Sequence, residues 1–256
     1  MTAVMKRRTA LLTMLFFAAV SGIAKAPEHY GVQVVKEYPH DTGAYTQGLF
    51  FDGDQLYEST GQYRESSFRK VDLDTGKPLK SLKFADKYFA EGSVMLGGNL
   101  YILTWTNKVA FIYGASDLKY KKTYSYPREG WGLTTDGKSL IASDGSSKLY
   151  FLTGEFALER SLDVKMNGRP VRYLNELEWI DGKIWANVYM TDVIVIINPE
   201  SGEVEGVVDC EGLLPGKLRK PSTDVLNGIA CHDGRIFLTG KYWPRLYEVK
   251  LVSRKK

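Results

Sequence analysis

Two sets of polar and aromatic residues stand at fixed distances from a repeated hydrophobic position in this chain of 256 residues. Nine residues before the repeated positions lie Gln47, Glu91, Trp131, Asn175 and Asn227, and five residues after them lie Gly61, Trp105, Gly145, Tyr189 and Lys241. Positions that serve packing alone would be aliphatic, whereas polar groups that converge among aromatic rings suit a small-molecule pocket. We therefore interpret both sets as the lining of one pocket. The alternative is a solvated channel, or internal hydrogen bonds that the fold itself needs.

One carboxylate and several amides supply the chemistry that these positions could perform. Glu91 is the only acid among the ten, and burial beside Trp105 and Trp131 would raise its pKa toward a value suited to proton transfer. A developing oxyanion could be held by the amides of Gln47, Asn175 and Asn227 and by the charge of Lys241. None of the ten is Ser, Cys or His, so no nucleophile stands beside a base. The set suits an intramolecular attack within a bound substrate, which needs orientation, desolvation and one acid or base.

A second pair of carboxylates, Glu176 and Glu178, flanks Leu177. Strand alternation sends both to the face opposite Asn175, so a structural role between repeats is at least as well founded as a chemical one. A metal site is not indicated, because the three histidines lack ligand spacing: they are His29, His40 and His232.

The repeated hydrophobic positions mark five copies of one unit. They lie 44, 40, 44 and 52 residues apart and are Leu56, Leu100, Leu140, Ile184 and Ile236. Asp-Gly or Gly-Gly precedes each of them, and such a turn between two short apolar runs indicates a β-hairpin. Third and fourth strands follow the hairpins, and four strands in about 40 to 50 residues are typical of a β-propeller blade.

The sequence therefore predicts an all-β fold, a five-bladed β-propeller. The fifth unit stops at Val252 before any fourth strand, while residues 32–38 supply an extra strand ahead of the first unit. We expect this N-terminal strand to complete the last blade, which would close the ring and protect both sheet edges.

The N-terminus has the layout of a secretory signal peptide. Lys6, Arg7 and Arg8 precede an apolar run over residues 9–20, and small residues lead to cleavage sites after Ala24 and after Ala26. We expect a signal peptide over residues 1–26, a single propeller domain over residues 27–256, and export to the periplasm or the exterior without stable membrane insertion after cleavage. The alternative is a retained anchor, although the run is short for a membrane span.

The formal charge of +4 belongs to the signal peptide. Four of the 34 basic residues and none of the 30 acidic residues fall within residues 1–26, which leaves 30 of each in the mature chain. This balance of charges argues against a nucleic-acid partner. We also expect the protein to be a monomer. An exported protein can form disulfides, but Cys210 and Cys231 lie in different repeats and the sequence leaves their pairing open.

Short motifs in all five repeats resemble those of the glutaminyl cyclases, or glutaminyl-peptide cyclotransferases, of the plant and bacterial type. The resemblance runs from about Tyr30 to Val252, and its motifs are YTQGL (45–49), YESTG (57–61), EG (91–92), LTW (103–105), EGWGL (129–133), NELE (175–178), WANVY (185–189), LNGIA (226–230) and LTGKYWP (238–244). It implies a five-bladed propeller that converts the N-terminal glutamine of peptides or proteins to pyroglutamate and releases ammonia. It also implies that no catalytic metal or other cofactor takes part, while a structural cation in the channel stays open.

The resemblance also assigns roles at matching positions. Glu91 would be the general acid and base, with Gln47, Asn175 and Lys241 as polar partners and Phe89, Trp105 and Trp131 as pocket walls. The chain departs from the family at Tyr45, where Phe is frequent, and at Tyr189, where Trp is common, and both changes keep a ring but add a hydroxyl group.

Two other classes of protein share such a fold. A non-catalytic propeller could bind a peptide or sugar across the same ring. A five-bladed glycosidase would need two suitably spaced carboxylates. Glu91 is the only carboxylate at the ten positions, which counts against this class.

Overall fold

The structure is a computed structural model that describes residues 26–254. These residues form strands, turns and loops with a single 3-10 turn at Gly216–Leu218, so the all-β prediction is confirmed. The predicted signal peptide lies outside this range except for its last residue, Ala26. Within residues 26–254 no helix is long and apolar enough to cross a membrane.

An N-terminal strand, β1 (Glu28–Pro39), precedes three sheets of four antiparallel strands. The first sheet contains β2 (Thr46–Asp52), β3 (Gln55–Thr60), β4 (Ser67–Val71) and β5 (Pro78–Lys83). The second contains β6 (Ala90–Leu96), β7 (Asn99–Thr104), β8 (Val109–Gly114) and β9 (Tyr120–Ser125). The third contains β10 (Leu133–Thr135), β11 (Leu140–Ser143), β12 (Lys148–Leu152) and β13 (Leu158–Asp163).

The remaining strands begin with a short hairpin of β14 (Lys165–Met166) and β15 (Arg169–Pro170). A group of four follows: β16 (Leu174–Ile180), β17 (Lys183–Val188), β18 (Val193–Ile197) and β19 (Val204–Asp209). The last three are β20 (Leu226–His232), β21 (Arg235–Gly240) and β22 (Arg245–Ser253). Strand β1 pairs antiparallel with β22 and, through residues 28–31, parallel with β19. It thereby joins these groups into one sheet of order β16-β17-β18-β19-β1-β22-β21-β20.

The predicted hairpins are present in all five repeats. Two-residue turns close four of them, and in the hairpin of β16 and β17 the turn residues Asp181 and Gly182 have φ of 49° and 74°. Positive φ at both residues defines a type I′ turn, which matches the twist of paired strands and favours Asp-Gly. The hairpin of β10 and β11 has a longer loop, residues 136–139.

We call β2–β5, β6–β9, β10–β13, β16–β19 and β20–β22 the first to fifth units. Their first strands contact one another in cyclic order: β2 with β6, β6 with β10, β10 with β16, β16 with β20, and β20 with β2. A hydrophobic cluster lies between each pair of successive units, and the cluster that contains Leu49 and Phe237 joins the first unit to the fifth. Each unit therefore buries apolar side chains against both neighbours, which is the main stabilising contribution in a fold of this kind.

Both cysteines are free thiols. Cys210 is buried, Cys231 is half-buried, and both pack in the cluster between the fourth and fifth units. Burial raises the pKa of the Cys210 thiol to about 12, so this side chain behaves as a small apolar group.

Candidate functional site

A pocket of about 350 Å³ gathers seven of the ten positions that the repeats align, together with Tyr45 and Phe89, which the family resemblance added. Its walls are Tyr45, Gln47, Gln62, Tyr63, Phe89, Glu91, Trp105, Trp131, Asn175, Tyr189 and Lys241. These residues come from all five units and from the segments that flank their first two strands. A cavity of this size fits one amino-acid side chain with its backbone, which is the small end of the range for ligand pockets.

A β-bulge recurs at four of the polar residues that the repeats align. Gln47, Glu91, Asn175 and Asn227 are each the second residue of the first strand of their unit, and the pairing register shifts at each of these places. A bulge leaves residues unpaired and turns the side chain away from the direction that regular alternation gives it. The shared position in the repeats thus corresponds to a shared distortion of the strand.

A line of hydrogen bonds connects three of these residues. The Nδ2 atom of Asn227 donates to Oε1 of Gln47 at 3.2 Å and to the carbonyl oxygen of Thr46 at 2.8 Å. The Nε2 atom of Gln47 in turn donates to Oε1 of Glu91 at 3.0 Å. The amide of Gln47 is therefore held with its donor toward the carboxylate.

The prediction that Asn227 contacts the substrate is wrong, because this residue does not line the pocket. Its side chain is fully buried beneath Gln47 and its donor hydrogens are used within the protein. A role in direct contact with a substrate is replaced by a role in orienting Gln47.

Burial dominates the electrostatics of the single acid in the pocket. Glu91 is 4% exposed, and loss of solvation raises its pKa well above the ordinary value, although the positive charge of Lys241 opposes this shift and the negative charge of Glu129 adds to it. Lys241 is 2% exposed, and burial lowers its pKa to about 8 against the opposing effects of Glu91 and Asp224. Burial thus shifts the pKa of Glu91 upward and that of Lys241 downward, the directions that suit acid and base catalysis.

Aromatic side chains form the wall above these groups. Tyr45 meets Phe89 edge-on with ring centres 6.0 Å apart, and Phe89 meets Trp105 edge-on at 5.5 Å. On the other side Trp131 meets Tyr189 edge-on at 5.6 Å. Such pairs are favoured by the quadrupoles of the rings and hold one another in place.

Lys241 closes the wall between its two tyrosines. Its Nζ atom lies 4.5 Å from the ring centre of Tyr45 and 4.9 Å from that of Tyr189. A cation held over two aromatic faces is stabilised without a carboxylate partner, so its charge stays available to a ligand in the pocket.

Two wall residues, Gln62 and Tyr63, were missed by sequence reasoning. Both follow Gly61 in the loop after β3, and Gln62 has φ of 93°. The available signal was Gly61, one of the ten positions: a Cβ atom there would lie 2.2 Å from the ring of Phe89, so only glycine allows that ring to stand in the wall. Tyr63 packs edge-on against the same ring at 5.5 Å.

The carboxylates of Glu176 and Glu178 accept hydrogen bonds from backbone groups of other units. Glu176 accepts hydrogen bonds from the N–H of Leu49 at 3.1 Å and of Ile229 at 2.9 Å, and Glu178 accepts one from the N–H of Cys231 at 3.1 Å. Burial raises the pKa of both side chains, that of Glu178 to about 8. This geometry agrees with a structural role between repeats.

Among residues 26–254 no three His, Cys, Asp or Glu side chains come together as possible metal ligands. His40 is already engaged, with Nδ1 at 2.7 Å from the carbonyl oxygen of Trp243 and Nε2 at 3.0 Å from Glu58.

One polar atom of the pocket lacks a partner. Oδ1 of Asn175 is buried and makes no hydrogen bond with any described residue. Buried polar atoms are nearly always paired, so an unpaired amide oxygen in a pocket wall is a place where a ligand N–H can bind. The pocket thus offers an amide, a protonatable carboxylate and an ammonium group inside an aromatic wall.

Comparison with known proteins identifies the family. A family described as glutamine cyclotransferase matches residues 8–251. The glutaminyl-peptide cyclotransferase of Arabidopsis thaliana is 44% identical over 227 residues, which cover 86% of this chain and 71% of the relative. The crystal structure of Myxococcus xanthus glutaminyl cyclase superposes on this protein with a TM-score of 0.83 and 37% sequence identity. The superposition covers 90% of this chain and 100% of the Myxococcus chain. The chain therefore belongs to the glutamine cyclotransferase family.

Proposed function

We propose that this protein is a glutaminyl-peptide cyclotransferase, which converts the N-terminal glutamine of peptides or proteins to pyroglutamate and releases ammonia. The proposal rests on the environment of Glu91. This carboxylate is buried at the base of an aromatic pocket, has a raised pKa and accepts a hydrogen bond from Gln47. The family and the names of the two relatives support the same reaction.

In the proposed reaction the neutral α-amine of the substrate attacks the carbon of its own γ-carboxamide. A C–N bond forms to the amine, the carbonyl becomes a tetrahedral oxyanion, and the original amide C–N bond breaks. Glu91 accepts a proton from the attacking amine and returns it to the departing nitrogen, which leaves as ammonia. No oxidant and no second substrate are needed.

The other pocket groups have roles that follow from their chemistry. Lys241 offers positive charge to the oxyanion. Its pKa is lowered to about 8, so the side chain titrates close to neutral pH. Asn175, whose Oδ1 is unpaired, binds an amine or amide N–H of the substrate. The aromatic wall excludes water, which strengthens each of these electrostatic contacts.

We further propose that catalysis is independent of a metal ion. A carboxylate, amides and an ammonium group suffice for the proton transfer and the oxyanion, because the attack is intramolecular. Turnover should survive prolonged treatment with a chelator. Loss of activity that added zinc or calcium restores would overturn this proposal, and loss of thermal stability alone would instead point to a structural cation in the channel.

The architecture that we propose is a five-bladed propeller over residues 27–256, with β1 as the outermost strand of the last blade. It is supported by the cyclic contacts of the five first strands and by the antiparallel pairing of β1 with β22. We also propose that residues 1–26 are a signal peptide and that the mature protein is an exported monomer. Mass spectrometry of the mature N-terminus and light scattering test these two points.

Ammonia release from a glutaminyl dipeptide tests the proposed function. The purified protein should release ammonia and convert the dipeptide to its pyroglutamyl form, while the same dipeptide with an acetylated N-terminus should stay unchanged because it lacks the attacking amine. Binding of the dipeptide without ammonia release would favour a non-catalytic binding protein. Hydrolysis of a glycoside in place of cyclisation would favour a glycosidase.

A further inference from the structure

Glu129 connects the two tryptophans of the pocket wall. Its Oε2 atom accepts a hydrogen bond of 3.0 Å from the indole Nε1 of Trp105 and one of 3.2 Å from the indole Nε1 of Trp131. Trp105 follows β7 of the second unit and Trp131 precedes β10 of the third. One carboxylate oxygen therefore ties together wall residues from two neighbouring units.

The connection falls at the place where the aromatic wall would otherwise be interrupted. On one side of it lie the edge-on contacts of Tyr45 with Phe89 and of Phe89 with Trp105. On the other side lies the contact of Trp131 with Tyr189. Lys241 closes the ring of contacts between the tyrosines, and Glu129 closes it between the tryptophans.

The backbone beside Glu129 is fixed to the second unit. The N–H of Gly130 donates to the carbonyl oxygens of Thr104 at 3.0 Å and of Trp105 at 3.2 Å. A Cβ atom on Gly130 would lie 2.6 Å from Cβ of Leu103, so the close approach requires glycine. The segment that carries Glu129 is therefore held against the end of β7, which keeps this residue beside both indoles.

We propose that Glu129 is a positioning residue for the cyclisation, which fixes the indoles of Trp105 and Trp131 and thereby sets the width of the pocket. The inference rests on the proposed function, since the walls matter only for a substrate that they enclose. A positioned site loses activity steeply when its walls move, on the order of 10²-fold for a displacement of about 1 Å. Supporting residues that lock the rotamers of such walls preserve this geometry.

The conservative substitution Glu129→Gln separates positioning from charge. A glutamine side chain keeps one oxygen that can accept both indole N–H groups, but it carries no charge. Glu129→Ala removes the acceptor altogether. We expect E129A to lower kcat/KM for a glutaminyl dipeptide by about 10- to 100-fold and E129Q to recover most of that loss. Glu159→Ala, at an exposed position of β13, is the matched control and should leave kcat/KM unchanged.

A second measurement on the ligand-free protein does not depend on turnover. The indole N–H signals of the protein can be resolved by NMR, and the variants Trp105→Phe and Trp131→Phe assign two of them. In E129A both signals should move toward the position of solvent-exposed indoles, whereas E129Q should keep them near their original places. The signal of Trp243, whose Nε1 donates to the carbonyl oxygen of Asp224 at 2.9 Å, should stay fixed in both variants.

The outcomes distinguish the possible explanations. Unmoved indole signals in E129A would overturn the positioning role, as would unchanged kcat/KM. Equal losses in E129A and E129Q, with the indole signals of E129Q in place, would show that the charge acts and would also overturn it. If the wild-type protein releases no ammonia, the proposed function fails, while the NMR measurement still decides whether Glu129 holds the two indoles.

Discussion

The Nε2 atom of Gln47 donates a hydrogen bond of 3.0 Å to Oε1 of Glu91. The orientation of this amide is set from behind, because Asn227 donates to its oxygen at 3.2 Å. A donor that faces a carboxylate favours the charged form. Asn227 thereby orients the donor that faces Glu91 without touching that carboxylate.

This relationship predicts the effect of Asn227→Asp. A carboxylate at this position cannot donate to Gln47, so the amide of Gln47 should rotate, give its N–H to the new acid and present its oxygen to Glu91. The pKa of Glu91 should then rise further, and the acid limb of the profile of kcat against pH should move to higher pH with reduced turnover. Asn167→Asp, in the exposed turn between β14 and β15, makes the same chemical change and should leave the profile in place. An unmoved limb in N227D would refute the orienting role.

The proton transfer itself is tested by Glu91→Gln. The glutamine keeps the volume of the side chain and an oxygen for the hydrogen bond from Gln47, but it cannot exchange a proton. General acid and base catalysis contributes about 10²- to 10⁴-fold, so kcat for ammonia release should fall by that factor. The melting temperature should be retained or raised, because a buried carboxyl group is removed. Wild-type turnover in a folded E91Q protein would exclude the proposed role.

Much of the fold and part of the site follow from the repeat in the sequence. The alignment of Gln47, Glu91 and Asn175 predicts that they meet, because equivalent residues of equivalent strands occupy equivalent places. The turn residues Asp181 and Gly182 predict their hairpin for the same local reason, namely their tolerance of positive φ. Seven of the ten aligned positions line the pocket on this basis, whereas Tyr45 and Phe89 were reached only through the resemblance to a family.

What the sequence could not supply depends on contacts between units. A glycine follows Gln47, Glu91 and Asn227, but Glu176 follows Asn175, so no single residue type marks all four bulges. The burial of Asn227 and the exposure of Gln62 to the pocket follow from distances between elements far apart in sequence. The repeat predicts which residues are equivalent, but it does not determine which of them reach the ligand.

The charge of Lys241 predicts a decline of activity in alkaline solution. Its pKa of about 8 means that the protonated fraction falls as the pH rises through that value, and oxyanion stabilisation is lost with it. Lys241→Met should remove this alkaline limb and lower kcat by about 10²-fold. It should also move the acid limb to higher pH, because the cation that lowers the pKa of Glu91 is gone.

The profiles of kcat against pH for the wild-type protein and the variant provide the measurement. Lys138→Met, in the exposed turn between β10 and β11, is the control for removal of one positive charge. An alkaline limb that persists unchanged in K241M would assign it to another group, such as the substrate itself.

Glu178 predicts that the protein loses stability as the pH rises. It lies between units and accepts a hydrogen bond from the N–H of Cys231, and burial raises its pKa in the folded state from 4.5 to about 8. Between these values the folded state holds a proton that the unfolded state has released, so the free energy of unfolding falls with increasing pH, by at most about 1.4 kcal/mol per pH unit from this group. Below about pH 4.5 both states are protonated and the contribution is complete.

The variant Glu178→Gln should remove this contribution to the slope. Its amide oxygen can accept from Cys231 and its N–H can donate to Thr134, whose hydroxyl lies 3.5 Å from Oε2 in the wild-type protein. Urea unfolding at about pH 5 and about pH 8 should show that E178Q gains stability relative to the wild-type protein at the higher pH. Glu159→Gln, an exposed carboxylate, should follow the wild-type curve. If E178Q also ran parallel to that curve, Glu178 would be ionised in the folded protein throughout this range.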